Sequence, residues 1–268
     1  MPKVRVGDVG LHYVEAGTGD PLLLVMGLGG DHLAWGLQMP VFAQRYRVIA
    51  FDNRGVGQSD APDEPYTTRM MADDAAGLLS ALGVERAHVI GLSMGGMIAQ
   101  ELALNHPARL WSLQLHATYA RPDGYLRALV AAWRTVRAAL GREEALRTMA
   151  LWLFTPDAYN ERPQLVENLL QTALANPYPQ SLTGFLRQTE AVLAHDTLDR
   201  LGAIRYPTLV SVAEQDVLVP PRFSHELASR IPGAELVVIP GSGHVALWEH
   251  PDAFTETCLT FLTEHPTA

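Results

Sequence analysis

The sequence predicts an α/β protein with a mostly parallel β-sheet, helices on both faces of that sheet, and a helical insertion after the sixth strand. Up to residue 118 and again after residue 200, short apolar runs alternate with segments of helical periodicity. This alternation is typical of parallel sheets with right-handed crossovers. Between residues 119 and 200 the strand-like runs disappear, and apolar residues recur at helical spacing instead.

Composition sets the scale of the fold and limits the classes of partner. The chain has 268 residues, of which 48% are hydrophobic and 18% charged, as in a globular protein with one large core. We expect a core domain made of residues 1–118 and 201–268, and a helical cap made of residues 119–200. The formal net charge of −9 argues against nucleic acid as a partner, because phosphate binding needs clustered Lys and Arg.

Signals for export or membrane insertion are absent from the sequence. The first residues contain no apolar run of the signal-peptide type, and no stretch approaches the roughly 20 apolar residues that span a membrane. The single cysteine, Cys258, excludes an internal disulfide. These observations predict a cytoplasmic protein with no membrane segment, and they leave its oligomeric state open.

A hairpin and a buried strand are predicted first. The β-like runs Val4–Val6 and Leu11–Val14 flank Gly7–Gly10, and Gly or Asp between such runs favours a tight turn. After a second turn at Gly17–Pro21, the continuous apolar run Leu22–Met26 predicts a strand that is buried on both faces.

Two β/α units and a further strand follow. The second helix of these units begins at Met94 and must end before Pro107, since proline disfavours helix in the residue before it. In order, the predicted elements are the strand Arg47–Asp52, a helix from about Thr67 that ends at Gly83, the strand His88–Gly91, a helix from Met94 to about His106, and the strand Leu113–Leu115.

Three apolar helical faces make up the predicted insertion. They are formed by Leu126, Leu129, Val130, Trp133 and Val136, by Leu165, Val166, Leu169 and Leu170, and by Leu182, Phe185, Leu186 and Leu193. The β/α alternation then resumes with the strand Thr208–Val212, a helix after Pro221, the strand Glu235–Ile239 and a last helix from about Pro251.

A G-x-S-x-G motif, Gly91-Leu92-Ser93-Met94-Gly95, lies between a predicted strand and a predicted helix. In that context the serine occupies a strained turn that exposes its hydroxyl at the sheet edge, and side chains in place of the glycines would clash. A serine hydroxyl also needs a base that accepts its proton during attack. The motif therefore predicts Ser93 as a catalytic nucleophile.

The base and the acid are predicted in loops that follow the last two strands. Loops at the carboxyl ends of parallel strands carry the sites of such sheets, and His244 lies in one of them, with His250 as its nearest rival. Asp216 lies in the other, with Glu214 as the competing carboxylate. Because a carboxylate fixes the tautomer of the histidine, we expect Ser93, His244 and Asp216 to form a triad.

Four motifs, in order along the chain, resemble the α/β-hydrolase superfamily, and more closely its small capped esterases, enol-lactone hydrolases and cofactor-free haloperoxidase-like members. They are D-N-R-G-V-G-Q-S-D at 52–60, G-L-S-M-G-G at 91–96, E-Q-D-V-L-V-P-P at 214–221 and G-S-G-H at 241–244. The order Ser, acid, His is also the order of that superfamily. The resemblance covers almost the whole chain outside the insertion and implies the α/β-hydrolase fold.

The resemblance also implies an oxyanion hole formed by the backbone N–H groups of Leu28 and Met94. Met26 stands where many relatives have histidine, a difference of little consequence because the donors are backbone groups. Asp52 and Arg54 match a structural turn of the family and are expected to be scaffold. We expect neither a metal nor a cofactor, since no H-E-x-x-H or paired Cys motif is present.

These residues predict a carboxylic ester hydrolase that cleaves esters or lactones of small, mostly apolar molecules through an acyl-enzyme on Ser93. The partner is thus a small-molecule substrate, and the cap is expected to select it. The pocket candidates are Trp133, Trp152, Phe154 and Phe185, with Tyr159 and Tyr178 as further aromatic residues of the cap.

Two alternatives stay open at this point. The first is an enzyme like 3-oxoadipate enol-lactonase, whose carboxylate-bearing lactone needs a cation in the pocket, for which Arg134 and Arg187 are candidates. The second is a small-molecule receptor that has the same fold and triad but does not turn over its ligand. Fold analogy does not decide between them.

Overall fold

The computed structural model describes residues 2–267, and these contain an eight-stranded sheet. Its strands are β1 (Lys3–Val6), β2 (Val9–Ala16), β3 (Asp20–Val25), β4 (Tyr46–Phe51), β5 (Ala87–Leu92), β6 (Leu110–His116), β7 (Thr208–Ala213) and β8 (Glu235–Ile239). Their order across the sheet is β1, β2, β4, β3, β5, β6, β7, β8. Strand β2 pairs antiparallel with β1 and β4, and the other pairs are parallel, as predicted.

The central strands are buried on both faces of the sheet. In β3, Leu23 and Val25 belong to one apolar cluster while Leu22 and Leu24 belong to the other, and all four side chains are fully buried. Complete burial of one such side chain contributes about 2 kcal/mol, so the strand is held firmly in this register. The continuous apolar run therefore forms the doubly covered strand that the sequence predicts.

Ten α-helices occur in the described residues, and none of them is long and apolar enough to cross a membrane. The helices predicted outside the insertion are all present, whereas the three shortest helices, at Met39–Phe42, Pro156–Glu161 and Ala246–Glu249, were not predicted. The ten are α1 (Met39–Phe42), α2 (Thr68–Ala81), α3 (Met94–Asn105), α4 (Gly124–Leu153), α5 (Pro156–Glu161), α6 (Pro163–Leu174), α7 (Leu182–Ala194), α8 (Arg222–Arg230), α9 (Ala246–Glu249) and α10 (Pro251–Glu264).

Helices α4 to α7 form the helical insertion between β6 and β7. Helix α4 is interrupted at Gly141, whose φ of 88° and ψ of −169° divide it into two segments. A Cβ atom at this position would meet nothing within 4 Å, so the backbone conformation, and not crowding, favours glycine here. That residues 119–200 fold as a cap domain distinct from the rest of the chain stays a prediction.

Candidate active site

Ser93 lies between β5 and α3, on the strained turn that the motif predicts. Its φ of 55° and ψ of −120° are unusual for a residue with a side chain. Neighbouring atoms hold this conformation, because the Ser93 N–H donates to the His116 carbonyl at 2.9 Å and the Thr118 hydroxyl donates to the Ser93 carbonyl at 2.8 Å. The turn also needs Gly95, where a Cβ atom would come within 2.0 Å of the Val25 carbonyl oxygen.

His244 and Asp216 form a buried pair at the carboxyl ends of β8 and β7. His244 Nδ1 lies 2.8 Å from Asp216 Oδ2, and the two side chains are 4% and 0% exposed. The other carboxylate oxygen, Oδ1, accepts the N–H groups of Leu218 at 2.9 Å and Val219 at 2.8 Å. A carboxylate that accepts these bonds orients the ring with its proton on Nδ1, which leaves Nε2 as a proton acceptor.

One cavity of about 320 Å³ is lined by both Ser93 and His244. Within residues 2–267, no hydrogen bond joins Ser93 Oγ to the His244 ring. Such bonds are often long in unliganded sites and shorten when the substrate binds. Ser93, His244 and Asp216 therefore lie at one end of the sheet, and Ser93 and His244 face the same cavity.

The loop after β3 lies directly against the nucleophile. A Cβ atom on Gly27 would be 3.0 Å from Ser93 Cβ and 3.6 Å from Ser93 Oγ. Leu28 and Met94 both line the cavity, and in the described part of the chain their N–H groups donate to no acceptor. Two unpartnered backbone donors beside a serine are what a developing oxyanion requires.

Most of the cavity wall is apolar and comes from the insertion as well as from the sheet. Trp133, Phe154 and Phe185 line the cavity, as does Tyr178. Trp152 does not, so its prediction as a pocket residue is corrected: its ring packs edge-on against Trp133 with centroids 6.1 Å apart. Tyr159 is also outside the lining. Further apolar lining residues that the sequence analysis did not single out as pocket candidates include Leu126, Val130, Met149 and Trp248.

The rivals for the triad, Glu214 and His250, have other partners, as does Arg54 of the expected structural turn. Glu214 accepts the Gly241 N–H at 3.1 Å, on the protein surface, and the His250 ring lies 3.0 Å from the Gly241 carbonyl oxygen. Arg54 is buried and makes a two-pronged ion pair with Asp74. These contacts stabilise loops and turns, and none of them faces the cavity.

The cations of the cavity are not the predicted ones. Arg187 pairs with Asp63 and Glu190, and Arg134 pairs with Glu190 and the Thr189 hydroxyl, and neither lines the cavity. Arg137 and Arg142 line it instead. The signal for Arg137 was present in the sequence, because it follows Trp133 by four residues and so continues the apolar face Leu126, Val130, Trp133 of α4 by one turn.

A second buried cluster joins His12, His32 and Asp52, whose ligand-type atoms lie within 4.8 Å of one another. The His12 and His32 Nδ1 atoms are 3.1 Å and 2.7 Å from the Asp52 oxygens. Burial alone raises the pKa of Asp52, but hydrogen bonds from His32 and from the Gln58 N–H outweigh burial and hold that pKa below its usual value. The ligand-type atoms of the three residues are close enough together to bind a metal ion. The side chains also hydrogen-bond to one another, which supports the interpretation of Asp52 as scaffold for the turn at 52–60.

Comparison with known proteins assigns the family. The family profile described as alpha/beta hydrolase fold matches residues 20–251. The chain belongs to the α/β-hydrolase family. The match covers β3 to α9 and hence Ser93, Asp216 and His244. As the resemblance implied, this α/β-hydrolase combines the mostly parallel sheet with a helical insertion after β6.

Relatives of this α/β-hydrolase carry hydrolase names. A protein of Azorhizobium caulinodans that is named a carbamate hydrolase, RutD, is 37% identical over 264 residues, which cover 98% of this chain and 99% of the relative. The enol-lactonase from Burkholderia xenovorans has a TM-score of 0.90 at 29% identity, covering 98% of this chain and all of its own. A thermophilic esterase from Thermogutta terrifontis, solved with malate bound, has a TM-score of 0.89 at 30% identity, with 99% and 100% covered.

Proposed function

We propose that this α/β-hydrolase cleaves carboxylic esters or lactones of small, mostly apolar molecules through an acyl-enzyme on Ser93. One observation carries the proposal: Ser93 faces the same cavity as His244, and His244 is bound through Nδ1 to the buried Asp216 carboxylate. This is the arrangement in which a serine hydroxyl becomes an effective nucleophile.

The chemistry follows from these positions. Ser93 Oγ attacks the carbonyl carbon of the substrate while its proton passes to His244 Nε2, and Asp216 stabilises the resulting imidazolium. The Leu28 and Met94 N–H groups receive the negative oxygen of the tetrahedral intermediate. When that intermediate collapses, the alcohol leaves with the proton from His244, and the acyl group stays on Ser93. A water molecule, deprotonated by His244, then releases the acid and restores the serine.

The cavity and the relatives support a small acyl substrate. Trp133, Phe154 and Phe185 give the cavity an apolar wall, and its volume of about 320 Å³ suits a molecule of modest size. Esters and lactones are the substrate classes in the names of an esterase and an enol-lactonase that share this fold almost completely. A receptor with the same fold and triad would share the strained Ser93 conformation, so turnover of substrate is the property that separates an enzyme from a receptor.

A second candidate function is carbamate hydrolysis, because the 37% identical relative is named a carbamate hydrolase. The same triad would attack the carbamate carbonyl, and an amine or ammonia would leave in place of an alcohol. A panel of esters, lactones and carbamates of matched size therefore decides between the two, by comparison of kcat/KM.

The assignment to Ser93 is tested with a fluorophosphonate probe and the ester panel. We expect single labelling at Ser93, and a fall in kcat of roughly a thousandfold or more for Ser93→Ala. Ser229→Ala, which changes a serine on the exposed side of α8, is the matched control. Labelling that persists in Ser93→Ala, or tight ligand binding with no turnover by the wild type, would overturn the proposal.

A further inference from the structure

Two arginines of the insertion face the catalytic cavity without a carboxylate partner. Arg137 and Arg142 line the cavity on either side of the break in α4 at Gly141. Neither guanidinium lies within 4 Å of an acidic oxygen in the described chain, although Arg134, on the same helix, is paired with Glu190. In a protein of net charge −9, two adjacent unpaired cations in a cavity are unexpected.

Both arginines keep hydrogen-bond donors free for a ligand. Arg137 donates one bond, to the Gln180 carbonyl at 3.1 Å, and Arg142 donates to the carbonyls of Leu174, at 3.2 Å, and Ala173. A guanidinium has five N–H groups, so most donors of this pair are unused. These carbonyl bonds orient the two side chains and do not neutralise their charges.

The surroundings leave the positive charge uncompensated. Asp31 is the one carboxylate among the described lining residues, and its oxygens are taken by the Leu33 N–H at 3.0 Å and the Asn176 amide at 2.6 Å. Burial lowers the pKa of both arginines, and Arg142 lowers the pKa of Arg137 further by repulsion. An anion placed between the two would relieve this repulsion.

Location distinguishes this pair from the catalytic groups. Arg137 and Arg142 are half-buried, and the exposed residues Leu33 and Tyr178 line the same cavity, so the cavity opens to solvent. Trp133, one turn before Arg137, is buried, and its indole N–H has no partner in the described chain. A ligand that runs along this face of α4 would meet apolar side chains, one free indole donor and then the two cations.

We propose that Arg137 and Arg142 form an anion subsite, and that the physiological substrate is an ester or lactone that carries a carboxylate at the end remote from the scissile bond. The proposal rests on the proposed function and narrows its substrate class. The guanidinium groups bind the carboxylate at the mouth of the cavity, which orients the apolar body of the substrate and leaves its carbonyl at Ser93.

The test compares two substrates that differ only in charge: the mono-p-nitrophenyl ester of pimelic acid and the same ester with the free carboxylate replaced by a carboxamide. We expect the wild type to prefer the carboxylate at low salt, with a preference that decreases as NaCl is added. Arg137→Gln and Arg142→Gln should each lower the preference about tenfold, mainly through KM. Arg137→Lys and Arg142→Lys should retain most of it, whereas a purely structural role would not be rescued by charge.

Arg134→Gln is the matched control, since it removes a paired arginine of the same helix that does not line the cavity. Its preference should equal that of the wild type. Equal losses on both substrates in the Arg137 and Arg142 variants, or no carboxylate preference in the wild type, would overturn the subsite.

A binding measurement separates this proposal from the proposed function. Calorimetry with pimelate, the product of the charged ester, should show binding to the wild type and its loss in Arg137→Gln and Arg142→Gln, while the neutral diamide does not bind. If no ester is cleaved and Ser93 is not labelled, the proposed function fails, and pimelate binding still decides the subsite. If esters are cleaved but pimelate does not bind, only the subsite fails.

Discussion

At the scale of single residues, three hydrogen bonds favour Asp216 over Glu214 as the acid of the proposed triad. Asp216 binds the His244 ring with one oxygen and two backbone N–H groups with the other, so the position of the carboxylate is fixed by its own loop. Glu214, two residues earlier, points to the surface and accepts the Gly241 N–H. The loop after β7 thus supplies one carboxylate to the His244 ring and another to the backbone of the loop that carries His244.

This difference makes a direct prediction for the two carboxylates. Asp216→Asn keeps the shape of the side chain but can present an amide donor to Nδ1, which favours the wrong tautomer, so kcat should fall roughly a thousandfold or more. Glu214→Gln should change kcat less than about threefold, since it removes only one exposed acceptor. Steady-state kinetics on a p-nitrophenyl ester measure both variants, and the reverse ranking would assign the acid to Glu214.

Between elements, the loop that carries His244 is fixed to the insertion by Glu249 of α9. The Glu249 carboxylate accepts the Gly243 N–H at 2.6 Å and, with its other oxygen, the N–H and hydroxyl of Thr155 at 3.0 Å and 2.7 Å. The Val245 N–H adds a bond to the Leu153 carbonyl at 3.3 Å. A buried carboxylate with three donors is a strong link, so the histidine loop and the end of α4 are held in one arrangement.

Helix α4 leads to a prediction about chain-length preference. Trp133 lines the cavity, whereas Trp152, with which it packs edge-on, does not. Trp133→Phe should enlarge the cavity and raise kcat/KM for longer p-nitrophenyl acyl esters relative to the acetate by roughly threefold to tenfold. The rate on the acetate should fall less than about tenfold, because the catalytic groups are unchanged.

Trp152→Phe is the matched variant for this comparison, since it shortens the partner ring outside the cavity. Its chain-length profile should coincide with that of the wild type. A profile that shifts equally in both variants would mean that the shift comes from loosening of α4 and that the wall formed by Trp133 does not set the chain length.

For the whole molecule, the sequence predicts what is encoded locally. The Ser93 turn needs only a strand, small neighbours and a helix, and all of these are contiguous in the chain. The parallel order of the sheet follows from β/α alternation, and the loops after β7 and β8 then fall at one sheet edge. The fold and the closeness of Ser93, Asp216 and His244 could be predicted for that reason.

What the sequence did not predict depends on tertiary geometry. Trp152 lies 19 residues after Trp133, beyond the break at Gly141, so helical phase could not be carried from one tryptophan to the other. Arg134 and Arg187 were candidate cavity cations, but packing brings Glu190 to Arg134 and Asp63 to Arg187. Spacing along the chain reveals neither contact, although it places Glu190 three residues after Arg187 on α7. Arg142 follows the break directly, and its place in the cavity depends on how the second segment of α4 turns.

The stability of the whole fold should depend on pH through two buried histidines. Burial lowers the pKa of His195 to about 4 and that of His116 to about 3, against about 6.5 in the unfolded chain. Both are therefore neutral in the folded protein, while the unfolded chain binds protons as the pH falls below about 6.5. Their stabilising effect is complete above that pH and is lost as the pH decreases toward the folded values.

We therefore expect the free energy of unfolding, measured by urea denaturation, to fall between pH 6 and pH 4.5 by roughly 1 kcal/mol per pH unit for each of these histidines, in addition to any other titrating groups.

His195 bonds to the Thr68 and Thr197 hydroxyls, and His195→Gln keeps polar atoms near both while it removes the titrating ring. The slope of that variant should be smaller than the wild-type slope by about that amount, even if its stability at pH 7 is lower. His225→Gln, which changes an exposed histidine of α8, is the control. Equal slopes in His195→Gln and the wild type would show that His195 takes up its proton in the folded protein, and burial would then not be keeping it neutral.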